Sequence, residues 1–281
     1  MKLLVEVSNK NNLYLDNISG IILPLDRYSV ESTCFFTMDE IKDIKSKCNC
    51  EVFVKINKNL ENDDIEDIKN ILIELDNIGI TGVFFYDLAV LELKRELDLK
   101  LDLVWNQTHM VNNSETCNYY YSKGCKYALL GKEITLDEIK EIIEKSNITC
   151  MVEVVSRPSV AFSKRSLVTN YYKDLGKEEK HEILIHEKVS DDDYRVVEND
   201  LGTTFFLNTI TNGTSIIKDL YDTGCPYIIF REYGIDNFNE LIDDTMNYIN
   251  NKCSNNEYIE KYKKLGDSTN FFFKKTIYKV K

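Results

Sequence analysis

The sequence predicts an α/β protein of the (β/α)8 or TIM-barrel type, with a small antiparallel β insertion between strands seven and eight. Three observations predict it. Short apolar runs recur along the chain, and amphipathic stretches separate most of them. Several runs are apolar throughout, as parallel strands covered on both faces must be. The chain of 281 residues is also long enough to bury the core of such a barrel.

Eight runs read as strands: Leu3–Val7, Gly20–Leu25, Glu51–Ile56, Gly82–Tyr86, Leu101–Trp105, Tyr127–Leu130, Cys150–Val155 and Tyr227–Phe230. The first connection, Ser8 to Ser19, is too short for a full helix. Thr37-Met-Asp-Glu40 opens the next helix as a capping box: the Thr37 hydroxyl accepts from the third amide while Glu40 reaches back. From Asp63 to Ile78 the spacing places Ile65, Ile68, Ile71, Leu72 and Leu75 on one face, with Gly79 as the stop. Thr135-Leu-Asp-Glu138 is a second capping box, ahead of Ile139, Ile142 and Ile143. After strand seven, the segment from Pro158 through Lys164 and Arg165 is polar and leads into a helix. Glu182–Lys188, Tyr194–Glu198 and Thr203–Leu207 then read as antiparallel strands separated by acidic turns, a β subdomain over the barrel mouth spanning about 176–210. Thr214–Thr223 resumes the outer helices. Residues 1–253 thus make the barrel with its insertion. Residues 254–281 make a tail whose Phe271–Phe273, Ile277 and Tyr278 are apolar enough to dock on the barrel or form an interface.

Composition narrows the function classes. A net charge of −12 argues against broad, independent binding of phosphate backbones, so DNA is not expected as a partner. The basic stretch Lys261–Lys281 and the Lys164–Arg165 pair are the exceptions. No apolar run approaches the roughly 20 residues of a membrane helix, and no signal peptide is evident, so a cytoplasmic protein without membrane contact is expected. The eight cysteines are read as reduced, partly buried thiols that behave as small hydrophobes. Cys48 and Cys50 form a C-x-C pair that lacks the further ligands a zinc ion or cluster needs.

Barrel chemistry sits at the carboxyl ends of the strands. Those ends hold Glu6, Asp26, Asn57, Asp87, Asn106, Thr108, His109, Lys132, Arg157, Lys164, Arg165, Arg231 and Glu232. Such a ring suits a small anionic or hydroxylated ligand, with cations for charge and amides for orientation. Proteolytic motifs are missing: there is no H-E-x-x-H or G-x-S-x-G, and of the three histidines only His109 follows a barrel strand.

The segment Glu153–Tyr172 resembles the signature of the peptidase U32 (collagenase-like) family, close to E-x-F-V-H-G-A-L-C-x-A-Y-S-G-R-C-L-L-S-N-Y. The Ser-x-Arg core falls on Ser163 and Arg165, and the Asn-Tyr pair on Asn170 and Tyr171. Phe36–Ile41, Phe85–Leu91 and Lys132–Ile142 follow the family pattern in the same order. Leu103–Asn106, Thr116–Tyr119, Ser163–Leu167 and Asp267–Tyr278 are similar to the shorter member of the paired U32 proteins of low-GC Gram-positive bacteria. Two signature cysteines are replaced by Ser159 and Ser166, the His-Gly pair by Val155-Ser156, and Arg231 stands where a Glu-Gly is expected.

The resemblance implies a component of tRNA wobble-uridine hydroxylation, partnered by a longer U32 paralogue and meeting tRNA through that complex. A non-catalytic partner subunit and a collagenase-like protease are the alternatives. Some family members carry a [4Fe–4S] cluster; with its ligand positions substituted, no cofactor is expected here. The resemblance and the strand ends together select Asn57, Asp87, Asn106, His109, Lys164, Arg165, Arg231 and Glu232 as the candidate pocket.

Overall fold

The computed structural model describes residues 1–107, 109–178, 180–189, 191–266 and 272–273, the side chain of Asn12 excepted. Seven parallel strands come first: β1 (Lys2–Glu6), β2 (Gly20–Pro24), β3 (Glu51–Ile56), β4 (Gly82–Phe85), β5 (Asp102–Trp105), β6 (Tyr127–Leu129) and β7 (Thr149–Ser156). Next come β8 (Ser159–Ser163), β9 (Glu182–Glu187), β10 (Asp192–Asn199), β11 (Gly202–Leu207) and the short β12 (Thr211–Asn212). The eighth barrel strand, β13 (Tyr227–Arg231), pairs with β7 on one side and β1 on the other, from Lys2↔Tyr227 to Glu6↔Arg231, and closes the sheet.

Helices cover the outside: α1 (Met38–Lys47), α2 (Ile65–Asn77), α3 (Leu88–Glu96), α4 (Ser114–Ser122), α5 (Leu136–Lys145), α7 (Ile217–Asp222) and α8 (Phe238–Ile249). α6 (Leu167–Asp174) belongs to the insertion, and α9 (Asn255–Tyr262) follows the barrel. Both expected capping boxes close, and Gly79 ends α2 at φ +70°. The first connection holds only a 3-10 turn, Lys10–Asn12.

Alternation along the strands divides each one between two cores. Leu3, Val5, Ile21, Leu23, Val52 and Val54 point outward to the helices. Leu4, Ile22, Phe53, Phe84, Val104, Tyr127, Met151 and Ile229 fill the barrel interior, where Phe53 meets Phe84 and Tyr127 edge-on at 5.7 Å. Two residues beyond four of these inward positions stand Glu6, Lys55, Glu153 and Arg231. A charged layer therefore lies directly on an apolar one.

The roof over the barrel mouth starts earlier than the sequence predicts. Ser159–Ser163 is a strand, β8, pairing antiparallel with β11, so the four-stranded sheet runs β8-β11-β10-β9. S-V-A-F-S is short and only weakly apolar, and its edge pairing is satisfied by distant β11, so no local pattern marks it. α6 is anchored to this sheet by buried Glu198: the Val168 and Thr169 amides donate to its carboxylate at 2.7 and 3.0 Å, and the Thr203 hydroxyl donates at 2.7 Å. Burial works against that charge, but these donors outweigh it and hold the carboxyl below its usual range.

Of the tail, α9 packs through buried Tyr258, stacked on Tyr248 at 4.5 Å. Phe272 is buried, and its carbonyl accepts from Leu136 N at 3.0 Å. Phe271, Ile277 and Tyr278 lie outside the described residues. The cysteine reading is corrected at one point: Cys48 and Cys50 are joined in a disulfide, because the turn after α1 brings their Cα atoms within 5.2 Å. Cys34, Cys117, Cys125, Cys150 and Cys225 are buried thiols, and Cys253 is partly buried.

Candidate functional site

The mouth is built on alternating charge. Lys55 Nζ lies 3.0 and 3.2 Å from the two oxygens of Glu6, and Ser32 Oγ donates to Glu6 at 2.8 Å. Arg231 reaches both carboxylates, at 3.5 Å to Glu6 and 2.7 Å to Glu153. The closer contact, from Nε to Glu153 Oε2, is an ion pair. Lys132 Nζ is 3.0 Å from Glu153, and Ser156 Oγ donates to it at 2.5 Å. β7 carries a bulge at Val154, where the register against β13 steps from Glu153 to Val155. Bulges of this kind re-aim side chains beside barrel rims.

Burial and neighbours set the protonation of this layer. Burial raises the Glu153 carboxyl, but Arg231, Lys132 and the Ser156 hydroxyl bring it down to about 2. Glu6 is lowered in the same way: burial opposes, while Arg231 and Lys55 prevail. Lys55 is pulled down to about 8, because loss of hydration, aided by Arg231, outweighs the attraction of Glu6.

Above this layer a cavity of about 500 Å3 separates the strand ends from β8. Glu31, Asn57, Asn106, His109 and Lys164 lie on its walls, with Tyr86, Met110 and Phe162 as apolar surface. A smaller recess beneath it is lined by Glu31, Lys55, Asn57, Asn106, Lys132 and Arg231.

Five of the eight residues selected from the sequence line one or both spaces: Asn57, Asn106, His109, Lys164 and Arg231. Asn57 is buried and fixed by accepting from Val30 N at 2.9 Å. His109 is exposed, 3.9 Å from Glu133. Lys164 pairs with Glu61 at 2.7 Å.

The other three are engaged elsewhere. Asp87 caps α3 by accepting from Ala89 N and also accepts from Leu60 N, each at 3.0 Å. Glu232 accepts from the Ser8 amide and hydroxyl, tying down the first loop. Arg165 is exposed beside the roof, its carbonyl accepting from Thr203 Oγ1. Arg157, from the wider ring, donates to the Leu207 and Asn208 carbonyls and sits over the Tyr233 ring. Thr108 lies outside the described residues.

Sequence reasoning missed Lys55, Glu153 and Glu31. The first two were hidden inside strands, yet a single charge within V-F-V-K-I or M-V-E-V-V is itself a signal of an inward polar layer. Glu31 has left-handed backbone at φ +57°, which side-chain-bearing residues rarely adopt and which clusters at functional sites.

The donor set does not fit a four-thiolate cluster. Ser159, on β8, and Ser166, at the start of α6, offer hydroxyls. Among the described residues no group of three or more His, Cys, Asp and Glu is arranged to hold a metal ion.

A (β/α)8 barrel with a buried charge layer under a β roof is a scaffold used by many chemistries. The sequence profile of peptidase family U32 matches residues 26–275, and the chain belongs to that family. It is 26% identical over 277 residues to tRNA hydroxylation protein P2 of Bacillus subtilis (strain 168), covering 90% of each chain. With tRNA hydroxylation protein P1 of the same organism it shares 20% identity over 139 residues, 48% of this chain and 33% of that one. Among solved structures, the U32 peptidase Mk0906 is similar with a TM-score of 0.47 and 16% identity, covering 62% of this chain and 75% of that one. 3-Hexulose-6-phosphate synthase from Salmonella typhimurium gives a TM-score of 0.49 and 11% identity, covering 90% and 99%. Neither structural similarity bears on chemistry. No helix among the described residues is long and apolar enough to cross a membrane.

Proposed function

We propose that the chain is a component of tRNA wobble-uridine hydroxylation, acting without an iron–sulfur cluster of its own and alongside a longer U32 paralogue. One observation carries this reading: the likeness to a tRNA hydroxylation protein extends over 90% of both chains. The geometry is compatible. A roofed cavity of about 500 Å3 stands over fixed charges and amides at the end of the barrel where chemistry is placed. The acidic chain leaves much of the contact with the tRNA backbone to the partner.

The test is deletion of the gene in its host followed by mass spectrometry of tRNA nucleosides. Loss of 5-hydroxyuridine derivatives is expected, and their persistence at normal levels would refute the proposal.

A second reading, a non-catalytic subunit that positions the longer paralogue, is favoured by one feature. Leu167 and Tyr171 on α6 and Leu175 at its C-cap form an exposed apolar stripe, four residues apart. Copurification with that paralogue, abolished by Tyr171→Glu, supports it. Full activity of the isolated chain contradicts it.

A collagenase-like protease has the least support. His186 on β9 pairs with Asp193 on β10 at 3.0 Å, away from the lining of the roofed cavity, and Ser163 Oγ accepts from Arg165 N. A gelatin digest is expected to be negative.

A further inference from the structure

We infer that the cavity between the barrel mouth and β8 is a uracil-binding site; this rests on the tRNA-hydroxylation reading above and names where the base goes. At about 500 Å3 the space holds a nucleotide and excludes a duplex, so a base of a folded RNA must leave its stack to enter.

Three polar side chains line both this cavity and the recess below it: Glu31, Asn57 and Asn106. The Asn57 carbonyl oxygen is occupied by Val30 N, so Asn57 presents its amide donors. Asn106 is anchored through its backbone, N to Phe85 O at 3.0 Å, which leaves its side-chain amide at the cavity wall. Glu31 supplies an acceptor held in left-handed backbone, on the wall of the recess that Lys55 and Arg231 also line.

Two amide donors and one carboxylate match the pairing edge of uracil, whose two carbonyl oxygens flank one N–H. Cytosine presents an amino group and an unprotonated ring nitrogen on that edge, so the carboxylate would face a lone pair. Tyr86 and Phe162 supply ring faces for stacking, with Met110 beside them. Tyr86 and Met110 are exposed without any role in the core, as a binding surface requires.

The experiment is photocross-linking of the full chain to single-stranded RNA carrying one 5-iodouridine, or one 5-iodocytidine at the same place, with the adduct located by peptide mass spectrometry. Expected are adducts at Tyr86, Met110 or Phe162 with the uridine probe and roughly tenfold less with the cytidine probe. Glu31→Gln, checked for an unchanged melting temperature, should remove most of that preference. Asn106→Ala, checked likewise, should lower the uridine yield. Competition by UMP as strong as by unlabelled RNA would assign the same uracil chemistry to a free nucleotide, and competition by RNA alone to a strand.

Adducts confined to other surfaces, or equal yields from the two probes, would overturn the inference. The gene deletion separates the two claims. Lost 5-hydroxyuridine with adducts elsewhere removes this site and leaves the function. Uracil-selective adducts in the cavity with unchanged nucleosides remove the function and leave the site.

Discussion

Glu153→Gln is the sharpest test of the buried charge layer. The substitution keeps shape and removes the one charge that faces both Arg231, at 2.7 Å, and Lys132, at 3.0 Å. The native carboxyl at about 2, against an ordinary 4.5, corresponds to ~3 kcal/mol of stabilisation at neutral pH. An independent estimate agrees: removing one member of a buried ion pair costs about 3–5 kcal/mol, because the partner charge stays buried. Arg231 keeps Glu6 at 3.5 Å, which places the cost near the lower end. Urea denaturation at pH 7 should show that loss, equivalent to a melting temperature lower by roughly 6–12 °C.

The sign with pH gives a second readout. A depressed carboxyl stabilises the fold above its unfolded value near 4.5, and that contribution drains away as pH falls toward 2. The difference between the two proteins should therefore shrink across this window. A variant within about 1 kcal/mol of the parent at pH 7, or a difference that does not shrink on acidification, refutes the assignment.

Three further outcomes are expected. Glu198→Ala leaves the Val168 and Thr169 amides without their acceptor, so α6 and the roof should open to limited proteolysis while the barrel remains folded, with a local cost of about 1–3 kcal/mol. Phe272→Ala should cost about 3 kcal/mol by urea denaturation and make the tail the first site of protease cleavage. Lys55 titrates near 8 in the fold and near 10.5 when unfolded, so the unfolded chain holds the extra proton between these values. Stability should accordingly rise with pH across that window by up to ~3 kcal/mol relative to Lys55→Met, as equilibrium denaturation at pH 7.5 and 10 would show.

The barrel was legible because its information is local. Apolar runs define strands, capping boxes at Thr37 and Thr135 open helices, and the face of Ile68, Ile71, Leu72 and Leu75 packs inward as its spacing requires. The site was legible in part. Asn57, Asn106 and Arg231 sit at strand ends, where position alone implies the mouth. Asp87 and Glu232 sit at equivalent ends yet turn to backbone amides beside them, a choice made by loop geometry. β8 was illegible for a related reason: its partner, β11, lies some forty residues on, and five weakly apolar residues do not announce a strand by themselves.

The charged layer also explains how the segment from Glu153 to Tyr172, with serine at positions 159 and 166, keeps its place in the fold. Glu153 and Ser156 stay in the mouth network, while Ser159 opens β8 and pairs with Phe206. Arg165 and Leu167 bond to Thr203, and the helix that follows is held by Glu198. Each contact joins the signature segment either to the barrel mouth or to the roof above it, and none requires a thiolate. Serine at positions 159 and 166 therefore serves the junction of roof and barrel through hydroxyl-bearing side chains alone. In this chain the segment works as the strap that holds the roof over the mouth.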